Sequence, residues 1–108
     1  MGDYDCRATH WEPFVSQARP RQTLQLTLVH HNYQDREVTL KVSTRGPHGW
    51  STIPAQRRMR VPAGKSRKLK FALQIPRKVG KDRYLIAADL ELDSRPQGEV
   101  CLALVDIA

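Results

Sequence analysis

Apolar and polar residues alternate with a period of two along most of this chain. Leu24, Leu26 and Leu28 alternate with Gln25 and Thr27, and Val38, Leu40 and Val42 with Thr39, Lys41 and Ser43. Further on, Leu69, Phe71, Leu73 and Ile75 alternate with Lys68, Lys70, Ala72 and Gln74, and Ile86, Ala88, Leu90 and Leu92 with Ala87, Asp89, Glu91 and Asp93. Successive side chains of a strand point to opposite faces, so each segment has one apolar and one polar face, as in antiparallel strands packed on one side. No stretch combines a 3.6-residue period with caps and freedom from proline, so no helix is predicted.

Turn residues punctuate these runs. His31 to Arg36 offers Asn32 and Asp35 for a hairpin, and Gly46-Pro47-His48-Gly49 ends the second strong run. Pro62-Ala63-Gly64-Lys65 places Pro at the first central position of a β-turn with Gly shortly after. Pro76 stops the next run, and Asp93 to Gly98 turns the chain into its last strand. About seven strands follow, at 12–17, 22–31, 36–44, 57–61, 66–75, 83–93 and 98–107. That spacing predicts an all-β, antiparallel immunoglobulin-like (fibronectin-like) sandwich over 1–108. In the last strand both alternating sets, Val100, Leu102 and Leu104 on one side and Cys101, Ala103, Val105 and Ile107 on the other, are apolar. Its second face is therefore expected to be covered by a neighbour.

Length adds that 108 residues hold one domain, with a core that needs no metal or disulfide. No apolar run reaches the roughly 20 residues of a membrane-spanning helix. The opening Met1 to Cys6 is polar and acidic, unlike a secretory leader. Net charge is +7, from 18 Lys plus Arg against 11 Asp plus Glu, which raises the question of an acidic partner. Two cysteines, Cys6 and Cys101, are too few for a zinc site or a disulfide framework; pairing with each other stays open, and Cys101 also suits a small buried apolar position.

The motifs Gly46-Pro47-His48-Gly49-Trp50, Val61-Pro62-Ala63-Gly64-Lys65 and Leu73-Gln74-Ile75-Pro76, in this order after the Asn32 turn and before a final hairpin, resemble a group of bacterial immunoglobulin-like modules. That group includes the domain associated with carbohydrate-binding modules in alpha-galactosidases and related domains at the ends of large hydrolases. Those modules lead into the penultimate strand with Pro-Gly-x-Tyr, where this chain has Gly80-Lys81-Asp82-Arg83-Tyr84. The resemblance implies a non-catalytic accessory module, at the C-terminal end of a longer protein, that packs on or positions a neighbouring domain such as a hydrolase.

The candidate chemistry is thin. His30 and His31 face opposite ways on one strand, and His10 and His48 have no ligand-spaced partner, so no metal is implied. No serine stands in a nucleophile elbow and no cysteine has a neighbouring histidine. Asp89, Glu91 and Asp93 share one strand face without desolvation and are expected to pair with Lys and Arg on adjacent strands. No phosphate loop, and hence no cofactor, is indicated. Two binding surfaces remain as alternatives. Arg58 with Arg60 and Lys68 with Lys70 make a basic stripe for polyanions if their strands are neighbours. Trp11 and Trp50 are candidates for stacking on a glycan, although such aromatics are more often packing residues, Trp50 plugging the end of the sandwich and Trp11 against a neighbouring domain. Nucleic acid is disfavoured, because no base-stacking aromatic accompanies Lys68 and Lys70. Docking through the last strand and the segment from Tyr4 to Phe14 is the leading expectation.

Overall fold

The computed structural model describes residues 8–107. They form two packed β-sheets from nine strands: β1 (Thr9–Glu12), β2 (Val15–Ala18), β3 (Thr23–His31), β4 (Val38–Arg45), β5 (Ser51–Ile53), β6 (Gln56–Val61), β7 (Ser66–Gln74), β8 (Asp82–Leu92) and β9 (Arg95–Ile107). One sheet has the order β1-β3-β7-β5, the other β2-β9-β8-β4-β6. The predicted sandwich is present, with nine strands in place of seven.

The two extra strands have local causes. The expected strand at 12–17 is interrupted at Pro13, which has no N–H for a ladder. There the chain passes from β1, paired with β3, to β2, which runs parallel to β9, so the sheets are not wholly antiparallel. β5 has three residues before Pro54 and pairs only with Gln74, Leu73 and Ala72 of β7, too short a run to show alternation. The β6–β7 turn also differs in detail. Lys65 N–H donates to Pro62 C=O at 3.1 Å, so Pro62 opens the turn and Gly64, at φ +69°, takes the left-handed corner.

The alternation read from the sequence becomes the core. Leu26 and Leu28 of β3 and Leu69, Phe71 and Leu73 of β7 face Val38, Leu40, Val42, Ile86, Ala88 and Leu90 of the other sheet, all buried. Leu-to-Ala changes at such sites cost about 2–5 kcal/mol each.

At one end a single buried amide fastens two loops. Asn32 Nδ2 donates to the carbonyls of Arg36 (2.8 Å), Val61 (3.0 Å) and Pro62 (3.3 Å), and its Oδ1 accepts from Gln34 N–H (2.9 Å). Its backbone N–H donates to Lys65 C=O, and its C=O accepts from Gly64 N–H. The β3–β4 loop in one sheet's path is thereby tied to the β6–β7 turn. Beside it His30, also buried, shares a 2.8 Å hydrogen bond with Thr9. Burial first, and His31 next, push its pKa down to about 4.

Two outcomes are expected. Asn32→Asp keeps the acceptor for Gln34 but aims an acceptor at three carbonyls, and should lower stability in urea by about 3 kcal/mol; a loss under about 1 kcal/mol would contradict the latch. The unfolded chain takes up a proton on His30 near pH 6.5, before the fold does, so this residue's share of stability is complete above that pH. It declines as pH falls toward 4. His30→Asn should therefore flatten the fall in thermal midpoint between pH 6.5 and 4.

Candidate functional site

The outer face of the five-stranded sheet is where the structure departs most from a solvated surface. Cross-strand partners share a face, so Val15 of β2, Leu104 of β9 and Leu85 of β8 form one row across three strands. Leu102 stands next to it on β9, and Phe14 precedes β2 with its C=O accepting Leu104 N–H at 2.8 Å. Phe14 is 59% exposed, Leu85 48%, Val15 44% and Leu102 42%. Leu85, Leu102 and Val15 share one face, with Phe14 exposed at the start of β2, and the rest of that face mixes charged residues with Gln17, Thr39, Ser43 and Ala87.

Ion pairs border the row. On one flank Arg83 grips Asp106 with two hydrogen bonds, Nε to Oδ1 at 2.7 Å and Nη2 to Oδ2 at 3.0 Å. This pairing raises the arginine's pKa and lowers the carboxyl's. On the other, Arg45 holds Asp89 at 3.0 Å and Glu99 at 3.8 Å, and Lys41 holds Glu91 at 3.2 Å. Asp93 accepts from Thr39 N–H at 2.8 Å and from Arg36 at 2.6 Å, and that backbone bond above all keeps its carboxyl below the usual range. Asp89, Glu91 and Asp93 thus pair with cations on or beside the neighbouring strand β4. A carboxylate already engaged by a cation in this way is poorly placed for general acid work.

The basic residues do not form one stripe. Arg58 and Arg60 lie opposite Lys41 and Thr39 on the outer face of the five-stranded sheet, at its edge. Lys68 and Lys70 lie opposite Val29 and Thr27 on the outer face of the other sheet. β6 and β7 are consecutive but belong to different layers, so the two pairs point to opposite sides of the sandwich. Arg57 Nη1 reaches Lys70 C=O at 3.1 Å across the gap between them.

The tryptophans separate as well. Trp11 is 2% exposed and packs edge-on against Phe71, centroids 5.8 Å apart, so it is core and offers nothing to a glycan or a docking partner. β1 turns it inward because Trp11 pairs with Leu28. Trp50 is half-buried at the end of the sandwich, tilted on Tyr84 at 4.8 Å. Beside it lies a cleft of about 180 Å³ between the sheets, lined by Trp50, Thr44, Ser51, Thr52, Leu73 and Ile86 among others. Cys101 is a free, half-buried thiol, its pKa pushed up by burial to about 11. Cys6 and Tyr4 lie outside the described residues. Among the described residues no group of three or more His, Cys, Asp or Glu side chains stands close enough to hold a metal ion.

Residues 18–93 match the family described as the NPCBM-associated, NEW3 domain of alpha-galactosidase. The chain belongs to this family. The NEW3 match ends at Asp93, so the whole of β9 with its outward leucines lies beyond it. Among solved structures the NEW3 chain is similar to WR4, an MSP family member of C. elegans, at 15% identity and TM-score 0.57, covering 94% of this chain and 98% of that one. SSP-19, an MSP-domain protein-like family member of Caenorhabditis elegans, gives 11% identity and TM-score 0.53, with 92% and 98% covered. The cupredoxin domain of amoB from Nitrosocaldus yellowstonii gives 16% and 0.55, with 79% and 55% covered. At such identities the likeness is one of fold, and it places the chain among immunoglobulin-type sandwiches. No curated protein matches the chain.

Sequence reasoning reached Leu102 and Leu104 through the two-sided apolarity of β9, and Phe14 through the Tyr4–Phe14 segment. It missed Leu85, whose signal was an apolar residue on the parity of Arg83, Asp89 and Glu91. A chemical outcome follows for Cys101: with its pKa at about 11 the thiol is almost wholly protonated at pH 8, so iodoacetamide should modify Cys101, read on its own peptide by mass spectrometry, far more slowly in the folded than in the urea-unfolded chain. Equal rates would contradict its burial.

Proposed function

We propose that this NEW3 domain is a non-catalytic accessory module that packs on a neighbouring domain, a hydrolase domain of the same chain, through the outer face of its five-stranded sheet. The observation that carries this reading is the row Val15–Leu104–Leu85 with Leu102 and Phe14 beside it. Apolar groups gathered in one place, rimmed by fixed ion pairs, have the composition of an interface core with a polar rim. Membership of a family described by its association with alpha-galactosidase supports a glycosidase as the partner. The engaged carboxylates support a role without chemistry of its own.

Burial of apolar area contributes about 25 cal/mol per Å², so covering several of these side chains is worth a few kcal/mol before the costs of fixing two domains together. Docking of this kind is nearly independent of salt, whereas attraction through exposed cations weakens steeply with it.

The test replaces Leu85 and Leu102 together by Lys. Both are surface positions, so the isolated module should keep its stability within about 0.5 kcal/mol for each change. In the intact protein the same pair of changes should lower the inactivation temperature of the adjoining domain and speed proteolysis at the junction. Unchanged inactivation and proteolysis, or a native gene product with no further domain, would overturn the proposal.

A further inference from the structure

We infer that the cleft beside Trp50 is a binding site for a single pyranose ring, on the end of the molecule where the chain crosses from β4 to β5. The cleft is built into the fold. Its floor is Leu73 and Ile86, both buried core residues, and its wall is Trp50. Tyr84 packs tilted on the indole, centroids 4.8 Å apart, and is itself fixed by a 2.8 Å hydrogen bond from its hydroxyl to Gly80 C=O. Gly46 keeps the opening clear: a Cβ there would meet Ile86 Cδ1 at 3.0 Å.

Size and rim chemistry choose the ligand. A volume near 180 Å³ is smaller than a pocket for a drug-sized molecule and close to a cavity that takes one six-membered ring. At the rim Thr52 Oγ1 donates to Pro54 C=O at 3.0 Å, which commits its hydrogen. Thr44 Oγ1 lies 2.5 Å from Thr52 Oγ1 and, with that hydrogen committed, is the donor of the pair. Both oxygens then present lone pairs only, so they call for a ligand that brings O–H donors. Ser51 Oγ has a long 3.5 Å contact to Gln74 and is open to a partner of either kind. An apolar floor and indole wall facing acceptor oxygens fit the C–H face and hydroxyl edge of a sugar ring. A simple aromatic would leave the oxygens unsatisfied, and Arg45, the one cation lining the cleft, is already held by Asp89 and Glu99.

The experiment is a titration of the 108-residue chain with the methyl glycosides of glucose, galactose and mannose, followed by the two-dimensional NMR resonances of Thr44, Ser51, Thr52 and the Trp50 indole. Saturable shifts confined to these groups, below about 100 mM ligand, are expected for at least one glycoside. Thr44→Val, which keeps the Thr52–Pro54 bond, should weaken that binding about 3- to 10-fold when measured well below the variant's own melting temperature, which falls by the loss of the Thr44–Thr52 bond. Comparison with a trisaccharide ending in the same ring separates the two sources of such a ring: equal affinity assigns the site to chain ends, and loss of affinity assigns it to the free sugar. No saturable shift at these groups, binding unaffected by Thr44→Val, or phenol binding as tightly as the best sugar would overturn the inference. None of these readings depends on domain docking.

Discussion

Asn32 is the constraint around which one end of this sandwich is organised. Its side chain and backbone together hold the β3–β4 loop against the turn that joins β6 to β7, although β3 and β7 lie in one sheet and β4 and β6 in the other. Hydrophobic burial presses the sheets together without fixing their relative position, because it has no direction. A buried amide with both its polar atoms satisfied does fix it: each of its partners would otherwise be a desolvated carbonyl or N–H. The Asp93 clamp on Thr39 does similar work at the β8–β9 turn, on the same end of β4.

With that end set, the outer faces are free to differ. The four-stranded sheet presents Lys68, Lys70, Thr27 and the His10–Glu12 pair to solvent, an ordinary wetted surface. The five-stranded sheet sets the ion pairs of Arg83, Arg45 and Lys41 around a row of exposed leucine and valine, with Arg58 and Arg60 at its far edge. Tyr33 and Ile53 are also exposed but stand singly, as scattered apolar residues do on any protein. Gathered residues differ from scattered ones in what they can bury at once, and that difference is what turns one face into a docking candidate.

The core was legible because it is written in alternation. Every strand of six or more residues that buries a face, from β3 through β8, shows it. What stayed hidden depended on contacts between distant segments. The split of β1 from β2 follows from a change of pairing partner at Pro13, and β5 is too short to show any period. Trp11, a candidate for glycan stacking or for packing, stands between polar His10 and Glu12, which is what an inward residue of the edge strand β1 looks like. The basic stripe depended on the strands of Arg58–Arg60 and Lys68–Lys70 being neighbours in one sheet, which the local sequence does not decide, and β6 and β7 lie across the sandwich from one another. The hydroxyl pair of Thr44 and Thr52 brings two sheets together and has no trace in local sequence.

The account stands or falls on whether the outer face of the five-stranded sheet is covered in the intact protein. Hydroxyl-radical footprinting, read by mass spectrometry on the native gene product and on the isolated 108-residue chain, measures this residue by residue. The account predicts that oxidation of Phe14, Leu85 and Leu102 falls several-fold in the intact protein while that of exposed Tyr33 is unchanged. Equal labelling of the three residues in both forms would contradict it.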